Sequence, residues 1–277
     1  MNKKLWMKTL IASAAVAITL PAHALVLGTE VTIYDEDSAN QNWYRAGEDG
    51  EVEPGMAHGQ KWDLEGFFLN NNTLTMVGGY DFWDGQYSTS GHGGSDRNNN
   101  FSSGDLFISV DRPLFGANDI NNSAVDGNVV EKNRYGYDYV FDLDFEAATW
   151  ALYAIDDQTD VVTSYYRQNQ QSNPWQFDAD RGMNSLATGA IGYEDQTFTD
   201  AETGKQGVKH YAASFDLSAL YAQLSQDETL FAHFTMECGN DNLMGSWEAT
   251  VVPEPATLAL LTLGLGGLVA SRRKQAK

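Results

Sequence analysis

Two stretches of this chain set flat aromatic rings beside hydrogen-bonding side chains: Tyr80-Asp81-Phe82-Trp83-Asp84 and Asn173-Pro174-Trp175-Gln176. That combination suits sugar contact, because a ring can cover the C–H face of a pyranose while acids and amides bond its hydroxyls. Trp83 and Trp175 are therefore the candidate glycan-contact residues. The competing reading is that both rings anchor long loops in the core.

Oxygen-ligand chemistry is the second possibility. Asp178-x-Asp180-x-Gly182 has the opening spacing of a calcium loop but lacks the later Glu of an EF-hand, and Asp35-x-Asp37 carries less. Asp178 and Asp180 are weak metal candidates, since a solvated turn is the commoner use of such a pattern. Ca2+ is the cofactor the chain suggests, if it takes one. Asp105 follows Gly104 at a strand start, and Asp241 follows Gly239-Asn240 at a strand end. Both are expected to cap backbone amides. Catalytic patterns are thin: there is no Gly-x-Ser-x-Gly, no His-Glu-x-x-His and no phosphate-cradling glycine loop. His58, His92, His210 and His233 are scattered, and only the fold could bring His58 and His92 together. A carboxylate pair cannot be singled out among 38 Asp and Glu. No catalytic residue is assigned, and no enzyme activity is expected.

The elements that must position these residues show a period of two. Leu230, Ala232, Phe234, Met236 and Cys238 share one face of a strand, with His233, Thr235 and Glu237 on an opposite, more polar face. Tyr137, Tyr139, Phe141, Leu143 and Phe145 alternate with Asp138, Asp142 and Asp144. Leu106, Ile108 and Val110 alternate in the same way. Lys61 to Leu69 and Thr73 to Val77 predict a hairpin through Asn70-Asn71-Asn72, whose residues tolerate the positive φ of tight turns. Ala148 to Ile155 and Thr159 to Tyr166 predict another through Asp156-Asp157-Gln158. One helix is expected over Ala219 to Leu224, capped by Ser218. Many short strands between Gly, Asn and Asp turns point to an all-β fold, an antiparallel β-sandwich of jelly-roll type.

Charge narrows the partners. The chain carries −21 overall, and because seven of its 17 basic residues lie in the two terminal segments, residues 25–250 carry −27. Such a surface repels nucleic acid. Abundant aromatic residues let so acidic a chain bury a core. Cys238 is the only cysteine, so no intrachain disulfide can form, and its place on an apolar strand face predicts a buried, structural thiol.

The ends of the chain look like addresses. Lys3, Lys4 and Lys8 precede the apolar Leu10 to Leu20, and Ala22-His23-Ala24 gives the small-x-small site of a secretory signal peptide. Residues 1–24 are read as that peptide, cut by signal peptidase, and 25–250 as the ectodomain. At the other end, Val252-Pro253-Glu254-Pro255 is held extended by its prolines. The uncharged run Ala256 to Ala270 follows, a single hydrophobic helix shorter than the roughly 20 residues of a comfortable membrane span. Arg272, Arg273 and Lys274 then keep the tail cytoplasmic. This order over 251–277 resembles the PEP-CTERM sorting signal of Gram-negative bacteria. The resemblance implies recognition by an exosortase-type membrane protease. It also implies a transient hold in the inner membrane, followed by transfer to the cell surface or exopolysaccharide matrix.

Four internal pieces, Trp62-Asp63-Leu64-Glu65-Gly66, Ser103 to Ile108, Tyr135-Gly136-Tyr137 and His233 to Asp241, resemble an ectodomain shared by one set of exported PEP-CTERM proteins. That likeness implies a shared fold and no activity. The reading is an exported β-sandwich of the biofilm matrix that binds or scaffolds exopolysaccharide. The alternatives are a secreted polysaccharide hydrolase and a permanently membrane-anchored surface protein. Ice binding is not expected, because Thr73-Leu74-Thr75 occurs once and no solenoid period supports it.

Overall fold

The computed structural model describes residues 24–33, 57–88, 100–110, 127–166, 172–178 and 183–250. The chain enters on β1 (Thr29–Glu30), makes a 3₁₀ turn at Gln60–Trp62 and forms the hairpin β2 (Leu64–Asn70) and β3 (Thr73–Gly78). A short ribbon, β4 (Gln86–Tyr87) with β5 (Asn100–Phe101), leads to β6 (Leu106–Ser109) and β7 (Val130–Lys132). Next come β8 (Tyr139–Asp144), β9 (Thr149–Ala154), β10 (Asp160–Val162), β11 (Gln176–Phe177), β12 (Ala187–Ala190) and β13 (Thr197–Phe198). One helical turn, α1 (Asp200–Thr203), precedes β14 (His210–Asp216), and a second, α2 (Ser218–Tyr221), follows it. β15 (Glu228–Thr235) and β16 (Asn242–Ala249) complete the described elements.

The fold is all-β, and every described strand pairing is antiparallel. A five-stranded sheet, β1-β2-β3-β14-β13, faces a six-stranded sheet, β12-β9-β8-β6-β15-β16. Leu64, Phe67 and Met76 from the first meet Phe141, Leu230 and Phe234 from the second in the main core. The expected apolar residues all join the main core, Leu230, Ala232 and Phe234 from β15 and Met236 and the buried Cys238 from just beyond its end. The β2–β3 hairpin also forms as expected, with Asn71 at φ 53 in its turn.

A third layer, β11-β10-β7, covers the outer face of the six-stranded sheet around Phe107, Tyr137, Val140, Val161 and Phe177. It corrects three expectations. The more polar face of β15 is not open to water at His233, which is fully buried, with Tyr137 stacked 5.7 Å from its ring. Tyr137 belongs to this second cluster rather than to the face of Phe141, because regular pairing starts only at Tyr139. The segments around Ala148–Ile155 and Thr159–Tyr166 form no hairpin, since β9 lies in the six-stranded sheet and β10 in the third layer. The turn between them explains this. Asp156 Oδ1 accepts the Gln158 N–H at 3.0 Å, while Asn133 Nδ2 donates to the Asp156 carbonyl and Asn133 N–H to the Thr159 carbonyl, steering the chain out of its sheet. The predicted helix is also shorter and starts one residue earlier, at Ser218. The Ser218 N–H is held by Asp216 Oδ1, and its hydroxyl accepts from Asn72 rather than capping.

The quoted internal pieces are where distant segments join. Asp105 takes the Leu143 N–H at 2.9 Å on Oδ1 and the Phe177 N–H at 2.7 Å on Oδ2, linking the six-stranded sheet to the third layer. Asp241 Oδ2 takes the Leu64 N–H at 2.7 Å and links β16 to the other sheet. Both aspartates therefore bind amides: Asp105 takes those of two distant strands, while Asp241 takes a distant one on Oδ2 and, as expected of a capping residue, the neighbouring Asn242 N–H on Oδ1 at 2.9 Å.

Candidate functional site

At one end of the sandwich the 3₁₀ turn, the loop after β3, the β4–β5 ribbon and the start of β14 surround a cleft of about 530 Å³. Its floor depends on close backbone approach: a Cβ on Gly79 would stand 2.0 Å from the Gln60 carbonyl oxygen, so only glycine lets the 3₁₀ turn lie against the end of β3. The loop is folded by Asp81, whose Oδ1 accepts the N–H groups of Trp83 at 3.0 Å and Asp84 at 3.1 Å. Gly85, at φ 70, then turns the chain into β4.

This folding sorts the loop by polarity. Tyr80 and Phe82 are buried in the main core, and Trp83 packs edge-on against Phe145 at 5.2 Å. Asp81 and Asp84 turn the other way and line the cleft. Asn100 reaches across from β5 to bond the Asp84 carbonyl at 3.1 Å, and Tyr87 presents a half-exposed ring. Just before β14, the Lys209 ammonium lies 4.3 Å from the Tyr211 ring centre and contacts its hydroxyl. That contact, with Asp81 and Asp84 behind it, holds the lysine above its usual range. Burial raises Tyr211, and the adjoining Asp81 carboxylate adds to the shift.

Lys61 and Lys209 balance Asp81 and Asp84, so the lining is neutral in sum on a strongly acidic protein. Gln60, whose amide nitrogen donates inward to the buried Glu65, the amides of Gln86 and Asn100 and the rings of Tyr87 and Tyr211 complete it. The volume lies in the range of ligand clefts, roughly 300–1,000 Å³. Such a surface can hold hydroxyl-rich, uncharged molecules by hydrogen bonds and ring contact. A second groove of about 520 Å³ on the outer face of β8, β9 and β12 presents Asp142, Asp144, Thr149 and Thr188. Burial, followed by the charge of Asp144, pushes Asp142 upward. The one ring in its lining, Trp150, is buried, and no amide side chain lines it.

The residues singled out in the sequence fall differently. Trp175 is buried at 8 % exposure, its indole within the structure rather than presented to solvent, so stacking on a sugar is closed to it as it stands. Trp83 is half-buried beside the cleft but is not part of its lining. Asp178 is exposed and its N–H bonds the Asp160 carbonyl, whereas Asp180 lies outside the described residues. His58 is exposed and His92 lies outside the described residues. Among the described residues, no three His, Cys, Asp or Glu side chains gather as a metal cluster would require.

One constellation escaped the sequence reading. A β-bulge between Leu64 and Gly66 sends the fully buried Glu65 toward His210, whose Nδ1 lies 2.7 Å from Glu65 Oε2 and whose Nε2 lies 3.0 Å from Asp200 Oδ1. Hydrogen bonding to His210 draws Asp200 below the usual carboxylate range. The imidazole is sealed, with a carboxylate at each nitrogen, and ties α1 to β2 and β14. Its partner stands 145 residues away in the chain, and the bulge that aims Glu65 has no sequence period to reveal it.

Beyond the last strand, residues 251–274 match the PEP-CTERM protein-sorting motif. The chain carries a PEP-CTERM sorting signal. It takes in Val252, Pro253, Glu254 and Pro255 together with Arg272, Arg273 and Lys274, all outside the described residues. A PEP-CTERM signal marks a protein handled by an exosortase-type membrane protease and sorted to the cell surface. No curated protein and no solved structure matches the chain. Ala22 also lies outside the described residues, while Ala24 is the first residue described. Among the described residues, no helix is long and apolar enough to cross a membrane.

Proposed function

We propose that this PEP-CTERM protein binds an uncharged exopolysaccharide through the cleft at Gln60, Asp81, Asp84, Gln86, Tyr87 and Tyr211, and so becomes part of the matrix of a Gram-negative biofilm. The sandwich, which we read as jelly-roll in type, is the scaffold. Signal peptidase cuts after Ala24, and the exosortase-type protease acts near Val252 to Pro255, with Arg272, Arg273 and Lys274 holding the tail inside. The observation that carries the reading is the cleft's neutral lining of amides, acids and tyrosine rings on an ectodomain of −27. A polyanionic glycan meets that charge as repulsion.

The test is co-sedimentation of the exported protein with exopolysaccharide from the producing strain, with released reducing sugar assayed in the same tube. Saturable binding without release is expected. Tyr87→Ala should weaken it about tenfold, a loss of roughly 1.4 kcal/mol, while Trp175→Ala should affect folding rather than affinity. Binding that survives Tyr87→Ala and Asp84→Ala together would exclude the cleft. A hydrolase is the second reading, favoured by two carboxylates in one cleft, and sugar release abolished by Asp81→Asn would establish it. Calcium at Asp178 and Asp180 falls if a chelator leaves the melting temperature unchanged. A C-terminus found intact by mass would favour a permanently anchored protein over a processed one.

A further inference from the structure

The strand registers place the cleft and the end of β16, the last described strand before the sorting signal, at opposite poles of the sandwich. Gly78, the last residue of β3, is opposite both Leu64 and Tyr211, and the cleft lies immediately beyond it. β2 runs from that pole at Leu64 to the turn at Asn70. Residues 29–33 run antiparallel to β2, pairing Thr29 with Leu69 and Glu30 with Phe68. They also run antiparallel to β16, pairing Thr32 with Gly245, with the Ile33 N–H on the Met244 carbonyl and the Ser246 N–H on the Val31 carbonyl, both at 2.8 Å. β16 therefore points the same way as β2. It starts next to Asp241, which holds the Leu64 N–H at the cleft pole, and ends eight residues later at Ala249. Eight extended residues span about 27 Å.

The direction of that strand is fixed. β16 pairs with β15 over all eight of its residues, and Trp247 Nε1 donates to the Tyr221 hydroxyl at 3.0 Å. Only Thr250 separates its end from the sorting signal, which begins at 251. The pole it leaves from also carries exposed Asp216, at the end of β14, and Asp227, just before β15.

We propose that the cleft faces away from the membrane while the C-terminal signal still holds the chain, so that glycan is taken up before processing as readily as after it. This rests on the cleft being the glycan site. The full chain with Pro253→Ala and Pro255→Ala, retained in right-side-out membrane vesicles, is compared with the processed chain for co-sedimentation with the strain's exopolysaccharide. Affinities within about twofold are expected. Binding by the processed chain but tenfold weaker binding by the retained one would overturn the orientation, whereas binding by neither would remove the cleft reading and this inference with it. A readout without glycan separates the two. Tyr87→Cys at the cleft pole and Thr73→Cys at the tethered pole are labelled with a bulky maleimide, the native Cys238 being buried at 1 % exposure. Retention in the membrane should slow Thr73→Cys severalfold and leave Tyr87→Cys unchanged. The reverse pattern, or equal slowing at both, refutes the arrangement.

Discussion

Asp105 shows how one residue can set the pH response of the whole fold. It is 3 % exposed, and burial, reinforced by the nearby charge of Asp142, pushes its carboxyl from 3.8 up to about 8. Between those values the folded protein holds a proton that the unfolded chain has released. The folded state binds more protons, so this contribution falls as pH rises through the window, by up to ~1.4 kcal/mol per pH unit. The urea midpoint should therefore be higher at pH 5 than at pH 8, and Asp105→Asn should flatten the difference while lowering the midpoint at pH 5. An Asn variant with an unchanged slope would assign the effect elsewhere. The sequence made Asp105 legible as an amide-binding residue from its place after Gly104. It could not reveal Phe177 as the partner, 72 residues on, because the contact belongs to layer packing and not to the local turn. The same limit explains the cleft. The loop Tyr80 to Asp84 stood out in the sequence for its rings and acids, but which of its side chains turn outward is set by the Asp81 turn and by Phe145, and the acids face the cleft in place of Trp83.

Among the elements, the segment after the proposed signal-peptide cut joins the two sheets. Leu25 and Leu27 cover Phe68, Val77 and Phe198 on the outer face of the five-stranded sheet, and Glu30 meets the largely buried Lys205 at 2.7 Å. A Cβ on Gly28 would lie 1.9 Å from the Leu69 carbonyl oxygen, so the strand fits only with glycine there. Gly28→Val should release it and cost about 2–5 kcal/mol, in line with exposing two leucines, measurable as a lower urea midpoint. Retained stability would show that the segment is not needed to close the fold. Local patterns were legible at this scale: the Asn71 hairpin, the face of β15, and in retrospect the Thr199-x-x-Glu202 capping box of α1. The third layer was not, because a strand buried on both sides, such as that of His233, keeps the alternation of a half-exposed one when its second cover is polar enough to look like solvent.

For the whole molecule, charge and direction matter most. Residues 25–250, at −27, repel one another, so raising sodium chloride from 0.05 to 0.5 M should lift the melting temperature by screening; a lower value would mean that the acidic groups are held by favourable pairing. Composition made this legible, and the terminal motif made the destination legible, while the relation between cleft and exit required the registers. That relation has a mechanical side. On the proposed reading, with glycan in the cleft and the chain held through its C-terminal signal, tension acts along the strands, whereas the hydrogen bonds joining β16 to β15 and to residues 31–33 lie across them. Those bonds are strained together in shear instead of parting one by one as in an unzipping hairpin, so a drag on the matrix is spread over the full length of the last strand.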